Sequence, residues 1–371
     1  MRTPLCDRLG IEFPIFAFSH CRDVVAAVTN AGGIGVLGAV AHSPQGLETD
    51  LAWIDEQVGD KPYGVDLLLP VTFAPTGSAQ PRQLDDLFPA EQVDFVEDVL
   101  TRHGVPALPE GVEAHRASMS VSPEANNTLL DIALDHPIRL LASALGPPSA
   151  ELIDRAHERN IVVAALVGAA SHARRQQEAG VDLIVAQGTE AGGHTGMVST
   201  MVLVPEVVRA VHPLPVLAAG GIVTGAQVAA AMALGAQGVW CGSVWLTTAE
   251  AETDPVVKQK MLAASASDTV RSRSLTGKPA RMLRTAWTDE WEAPDAPATL
   301  PMPLQTMLVA TAQQRIARDA KTAGSGAESL ATYFVGQGVG LMDKIRPARE
   351  IVEEMVSGYL EVAERFASQV R

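Results

Sequence analysis

The amino-acid sequence predicts an α/β protein, a (β/α)8 TIM barrel with an insertion after the third strand and a C-terminal helical extension. Three observations predict it. Short β-branched runs alternate eight times with Ala-rich amphipathic stretches over roughly 240 residues, about the length such a barrel needs. The runs are almost continuously apolar, as strands covered on both faces are. Glycine-bearing turns, Gly220-Gly221 and Gly242-Ser243, mark the ends of the last two runs, where barrels of this kind bind phosphate. A doubly wound open sheet is the alternative architecture.

The first strand spans 11–18, and the helical DVVAAVTNAGG after it stops at Gly32 and Gly33. IGVLGAV (34–40) is the second strand, and Ser43-Pro44 opens a helix through Gln57. The third strand runs over 63–70. From about 71 to 120 the rhythm breaks into a Pro-, Gly-, Ser- and acid-rich insertion with one helix near 90–103, a lid or a surface decoration. A helix over 124–135 restores the pattern, and strands follow at 138–146, 161–168 and 181–188, separated by SAELIDRAHERN and SHARRQQEAG. A helix near 205–211 leads to VLAAGGI, a seventh strand ending at Ile222; TGAQVAAAMALGA and an eighth strand over 238–246 close the series. The chain thus divides into a barrel over 1–250 and a mainly helical extension over 251–371, with helices near 303–322 and 347–368, packed outside it.

Composition narrows the function. The 371 residues carry 28 Lys+Arg against 43 Asp+Glu, a net charge of −15, which argues against a nucleic-acid partner because a phosphate backbone needs a basic face. Hydrophobic residues make up 47% of the chain, enough for a large core and too many for disorder. Cys6, Cys21 and Cys241 form no CxxC pair, so neither a zinc site nor a disulfide framework is expected. The charged start MRTPLCDRLGIEFP is unlike a signal peptide, and no apolar run reaches the ~18–20 residues of a membrane span. A cytoplasmic protein with no membrane partner is expected.

Two loops suit an anion. Ala219-Gly220-Gly221-Ile222 and Cys241-Gly242-Ser243 follow strands seven and eight; glycines let backbone N–H groups approach a phosphate, and the helix opening at Thr224-Gly225 adds its dipole. The plainer reading of either loop is a tight strand-to-helix turn. Neither GxGxxG in a βαβ setting nor GxxxxGK[ST] occurs. The sixth strand ends in AQGTEAGGHTG, where His194 is the one side chain among the glycines suited to carry a proton near neutrality. Glu190 competes for that role but reads better as a surface or capping carboxylate. His42, His103, His115, His136, His157, His172 and His212 show no ligand spacing and read as surface or capping residues.

AQGTEAGGHTG followed by PVLAAGGIVTGAQVAAAMALGAQGVWCGS resembles the nitronate monooxygenase family, also called 2-nitropropane dioxygenases. SLTGKPARMLR, GQGVGLMDKIRPAREIVEEMV and VTNAGGIGVLGA also resemble family segments, so the similarity covers most of the chain outside 71–120. The resemblance implies FMN bound noncovalently in a TIM barrel, with Gly220, Gly221, Gly242 and Ser243 on its phosphate. It places Gln187, Gly188 and Gly193 beside the flavin, His194 as catalytic base, and Gln337 and Gly338 in a segment closing over the cofactor. This chain departs from the family in two places. Phe18-Ser19-His20-Cys21 stands where Gly-Met is common, and Gly64-Val65-Asp66-Leu67 stands for GVNL. His20 and Asp66 become candidate substrate contacts, Asp66 disfavouring an anionic nitronate if the two come close. Cys21, at a helix N-terminus, is a candidate for a lowered pKa, although most cysteines so placed are inert packing.

Oxidation of alkyl nitronates with O2 to a carbonyl compound and nitrite is the activity the resemblance implies. The alternative is an NAD(P)H-dependent FMN reductase of quinones or enoyl thioesters, with NAD(P)H as co-substrate. A flavin-binding protein without turnover and a flavin-free isomerase are the remaining readings.

Overall fold

The computed structural model describes residues 1–40, 42–67, 88–114, 123–143 and 146–370. Eight parallel strands close into a barrel: β1 (Ile15–Ser19), β2 (Ile34–Gly38), β3 (Gly64–Leu67), β4 (Leu140–Ser143), β5 (Val162–Val167), β6 (Leu183–Gln187), β8 (Val216–Ala219) and β9 (Gly238–Cys241). The missing number, β7 (Gly193–His194), belongs to a separate sheet. Closure is made by β1 on β9, with Ala17 opposite Cys241. The barrel predicted from the eight apolar runs is therefore the fold.

Side-chain alternation sorts the strands into two cores. Phe16, Ile34, Val36, Leu140, Val162, Val185, Leu217 and Trp240 fill the barrel interior. Their neighbours Ile15, Leu37, Val65, Leu141, Val163, Ile184 and Val239 face the helices. A short helix that the sequence reading passed over, α1 (Pro4–Leu9), sends Leu5, Cys6 and Leu9 into the interior cluster and so closes the N-terminal end. Its signals are Pro4 in the first turn and Gly10 in the left-handed conformation after the last. Strand residues become half-exposed only toward the opposite end, at Phe18, Ser19, Leu166 and Gln187.

The helices covering the barrel are α2 (Arg22–Asn30), α3 (Pro44–Val58), α4 (Ala90–Arg102), α5 (Pro123–Asp135), α6 (Ala150–His157), α7 (Ala170–Ala179), α8 (Thr200–Val211) and α9 (Gly225–Ala233). Beyond β9 the chain forms α10 (Pro255–Ala263), the hairpin strands β10 (Thr269–Ser272) and β11 (Ala280–Leu283), α11 (Ala286–Trp291), α12 (Leu304–Asp319), α13 (Ala327–Leu330) and α14 (Ala348–Gln369). The insertion's helix α4 packs on α12, and Phe95 meets Trp291 edge-on with ring centroids 4.8 Å apart. The rest of the third strand's expected span, 68–70, and the parts 71–87 and 115–120 of the insertion lie outside the described residues.

Several expected boundaries move, each for a local reason. The seventh barrel strand ends at Ala219, not Ile222, because Gly220 and Gly221 take φ of 112° and 72°, outside the β region. The eighth ends at Cys241, not 246: a 3-10 turn over Ser243–Thr247 follows, with Trp245 Nε1 donating to the Cys241 carbonyl at 2.8 Å. The segment 251–371 is more than an outer addition. Helix α14 packs between α9 and α2, the position of the ring's eighth helix, so residues 242–347 form one long excursion inside the last βα unit.

The α9–α14 contact is backbone on backbone. A Cβ at Gly225 would lie 2.4 Å from both the Met355 carbonyl oxygen and the Tyr359 nitrogen. Gly225→Ala should therefore lower stability by about 1–3 kcal/mol in urea denaturation, the usual cost of forcing atoms into a packed contact. An unchanged midpoint would mean that the two helices are not locked together here.

Candidate active site

The open end of the barrel leads into one cavity of about 1210 Å³. Phe18, Asp66, Leu166, Gln187, Ala219 and Trp240, all at or near strand C-termini, form its floor. Loops after β1, β6, β8 and β9 supply its walls, together with residues of α7 and α12. Apolar side chains such as Met302, Ile316 and Phe334 line much of it.

On one side stand the two predicted glycine loops. Gly220, Gly221, Gly242 and Ser243 all reach the cavity. A Cβ on Gly220 would lie 2.7 Å from Thr200 Oγ1, and one on Gly242 would meet nothing closer than 3.9 Å. The first glycine is required by packing and turn geometry, the second leaves open room. The N–H groups of Gly221, Ile222 and Gly242 find no acceptor among the described residues. Uncommitted donors of this kind suit a phosphate.

Gln227 holds the first loop in shape. Its Oε1 accepts from the N–H groups of Val223 (2.8 Å) and Thr224 (3.0 Å), and its Nε2 donates to the Gly221 carbonyl (2.7 Å). It is the third residue of a capping box begun by Thr224, a T-x-x-Q pattern legible in the sequence but not singled out there. Ser243 has a second task besides facing the cavity, because its Oγ accepts the Gly336 N–H at 2.8 Å.

His194 sits on β7, which pairs antiparallel with β11: His194 lies opposite Ala280, and Gly193 opposite Arg281. Two arginines of the hairpin grip the loop at either end. Arg281 Nε donates to the Thr189 carbonyl (2.9 Å) and Arg271 to that of Thr195 (3.0 Å). The imidazole lies at the cavity wall with Nε2 2.9 Å from Thr276 Oγ1. Burial, and then the charge of Lys278, hold its pKa below the ordinary histidine value, so the ring is neutral at pH 7. Sequence reasoning found His194 and missed the hairpin that positions it. A tail read as mainly helical concealed it, although the alternation in SDTVRSRSL and PARML carries a strand signal.

His20 and Asp66 also line the cavity. Gly38 leaves room for the His20 ring, whose Nδ1 lies 2.8 Å from the Gly38 carbonyl and therefore carries the proton. Burial lowers its pKa. Asp66 is 5% exposed, and burial alone raises its pKa to about 7. A carboxyl that stays largely protonated below neutrality repels an anion far less than its residue type suggested. Of the two readings of Cys21 the structure supports inert packing over a lowered pKa: its Sγ donates to the Glu250 carbonyl at 3.2 Å, and burial pushes the thiol up.

Gly193 and Gly338 reach the cavity, whereas Gly188 and Gln337 stand behind its wall. A Cβ on Gly188 would meet Thr200 Oγ1 at 2.1 Å, so this glycine packs against the start of α8. Gln337 donates its backbone N–H to the Glu190 carbonyl (2.8 Å) and so fastens the closing segment. Glu190 is the capping carboxylate expected: it accepts the Thr200 N–H at 2.9 Å. His42, His103, His136 and His157 each pair with a carboxylate. His172 is exposed, as expected, and stands on α7 where the cavity meets the surface, while His115 lies outside the described residues.

The family model described as nitronate monooxygenase matches residues 2–358. A Mycobacterium tuberculosis protein that carries a monooxygenase name is 60% identical over 374 residues, covering all of both chains. A Staphylococcus saprophyticus protein named as a nitronate monooxygenase is 29% identical over 317 residues, 80% of this chain and 84% of that one. Among solved structures, FabK from Thermotoga maritima superposes with a TM-score of 0.72 at 29% identity, covering 100% of this chain and 99% of the other. Nitroalkane oxidase from Streptomyces ansochromogenes shares the fold, with a TM-score of 0.79 at 24% identity over 98% of this chain and all of that one. The glycine loops, histidine strand and closing segment of this chain fall within the span matched by the family model, and the chain belongs to the nitronate monooxygenase family as an oxidoreductase of the flavin type.

Proposed function

We propose that this protein is an FMN-dependent nitronate monooxygenase that converts alkyl nitronates and O2 to a carbonyl compound and nitrite, with His194 as the base. The observation that carries the reading is the pairing of a clamped, neutral imidazole with uncommitted N–H donors across a single cavity. Gly220, Gly221, Gly242 and Ser243 would hold the phosphate, and Gln187, Gly193 and Gly338 would border the rest of the cofactor. Bound FMN supplies the electron-accepting and oxygen-reactive chemistry that no side chain offers.

The protein's share is binding and proton handling. His194 takes the α-proton of a neutral nitroalkane, or orients a nitronate that arrives already ionised. Lys278, whose charge is felt at His194, favours the anion on that side of the cavity. Apolar walls keep water from the reacting centre. Asp66 tolerates the anion below about pH 7, where it is mostly protonated, and opposes it above.

One observation favours a second reading, an NAD(P)H-dependent reductase of quinones or enoyl thioesters. The cavity exceeds the range of about 300–1,000 Å³ usual for a single small ligand, leaving space for a sizeable partner beside the cofactor. An anaerobic visible spectrum separates the two. Flavin that stays oxidised on adding NADH or NADPH and then reacts with a nitronate supports the monooxygenase, and bleaching within the mixing time supports the reductase.

Replacing His194 by Asn should lower turnover of a neutral nitroalkane by about 10²–10⁴-fold while flavin content stays the same. Full turnover in that variant would remove His194 from the chemistry, and loss of flavin would make it a binding residue.

Asp66 also predicts a pH effect on stability. Its folded pKa of about 7 exceeds that of the unfolded chain, so between about pH 4 and 7 the folded state holds a proton the unfolded state has lost. Its contribution to stability therefore falls through that window as pH rises. Asp66→Asn should gain on the wild type by on the order of 2–4 kcal/mol between pH 4 and 8 in denaturant titrations. Parallel pH profiles would show a solvated carboxylate instead.

A further inference from the structure

The hairpin that fixes the backbone of His194 also carries the hydroxyl that meets its ring. Thr276 lies in the turn between β10 and β11, is 8% exposed, and reaches His194 across 82 residues of sequence. Three groups compete for its Oγ1: His194 Nε2 at 2.9 Å, the Lys278 carbonyl at 3.1 Å and the Lys278 N–H at 3.3 Å.

A threonine hydroxyl has one proton and two lone pairs. Given to the Lys278 carbonyl, that proton leaves both lone pairs for N–H donors, one from Lys278 and one from His194. All three neighbours are then satisfied. Given to His194 Nε2, it leaves the Lys278 carbonyl without a donor among the described residues and one lone pair of the hydroxyl unused. The first arrangement makes three hydrogen bonds and the second two, so the first is favoured.

We propose that Thr276 is the positioning residue that holds His194 in its Nε2–H tautomer, making Nδ1 the ring nitrogen that takes the substrate proton. The proposal rests on the reading of His194 as the base. It adds which nitrogen acts and what selects it. Nδ1 has no partner among the described residues, as a base awaiting substrate requires.

Long-range 1H–15N correlation spectra of histidine-labelled holoprotein test this, with the His194 signals assigned by their loss in His194→Asn. The wild type should show a protonated Nε2 and a bare Nδ1. Thr276→Val should admit the Nδ1–H tautomer and lower kcat by about tenfold or more with KM little changed, and Thr276→Ser should restore both. A wild-type spectrum with Nδ1 protonated overturns the proposal, as does a Val variant that keeps the wild-type tautomer and kcat. Should the Val variant not fold, the wild-type spectrum and the Ser variant still decide. The tautomer is read without turnover, so a failure of the base assignment, seen as full activity in His194→Asn, stays distinct from a failure of this inference.

Discussion

Backbone approaches backbone above the barrel with no side chain between, and the site depends on those contacts. A Cβ at Gly192 would lie 2.9 Å from the Gly336 nitrogen, and one at Gly338 would lie 2.5 Å from Val223 Cγ2 and 3.1 Å from the Gly221 carbonyl oxygen. At the other end of the histidine loop a Cβ on Gly196 would lie 2.6 Å from the Gly168 carbonyl oxygen. Loops from four places in the sequence thereby stack into one wall. The same closeness lets the Gly336 N–H reach Ser243, so the closing segment and the anion cradle are set by one another.

Desolvation is the second common cause. His194, His20, Asp66 and Cys21 all line the cavity, and for each the largest influence is burial, which disfavours the charged form. Near neutrality the two imidazoles and the thiol are therefore uncharged, and Asp66 is close to half protonated. Any charge that develops during reaction is felt strongly in such a setting, because little water screens it. Lys278 gains influence on His194 for that reason.

Much of this was legible in the residues. The eight apolar runs and their alternation gave the barrel, since burial on both faces leaves a continuous hydrophobic pattern. The glycine loops and His194 were found because the C-terminal ends of barrel strands are where side chains can meet a ligand. The rest depended on contacts that sequence order hides. Thr276 and His194 are distant in the chain, and nothing local to LTGKP says which loop it will meet. Gly188 looked like its neighbours and proved to be a packing residue, because only three-dimensional structure shows Thr200 pressing on it. Cys21 stayed open between two readings because its helix N-terminus was visible in the sequence and its burial was not.

Helix α14 fills the gap between α9 and α2, yet more than a hundred residues separate it from the last barrel strand. The order of synthesis then matters. When β9 has left the ribosome, the barrel has all its strands but still lacks a stave on its outside, and the flank of α2 that meets α14 lacks its final cover. That flank waits through the translation of the entire excursion, so the nascent chain carries a sticky seam that only its closing segment seals. Contacts so far apart in sequence form late and slowly. A chaperone or a quick collapse of the hairpin region would have to guard the seam, and a ribosome stalled near residue 340 would release a chain with the barrel's strands made but its ring unsealed.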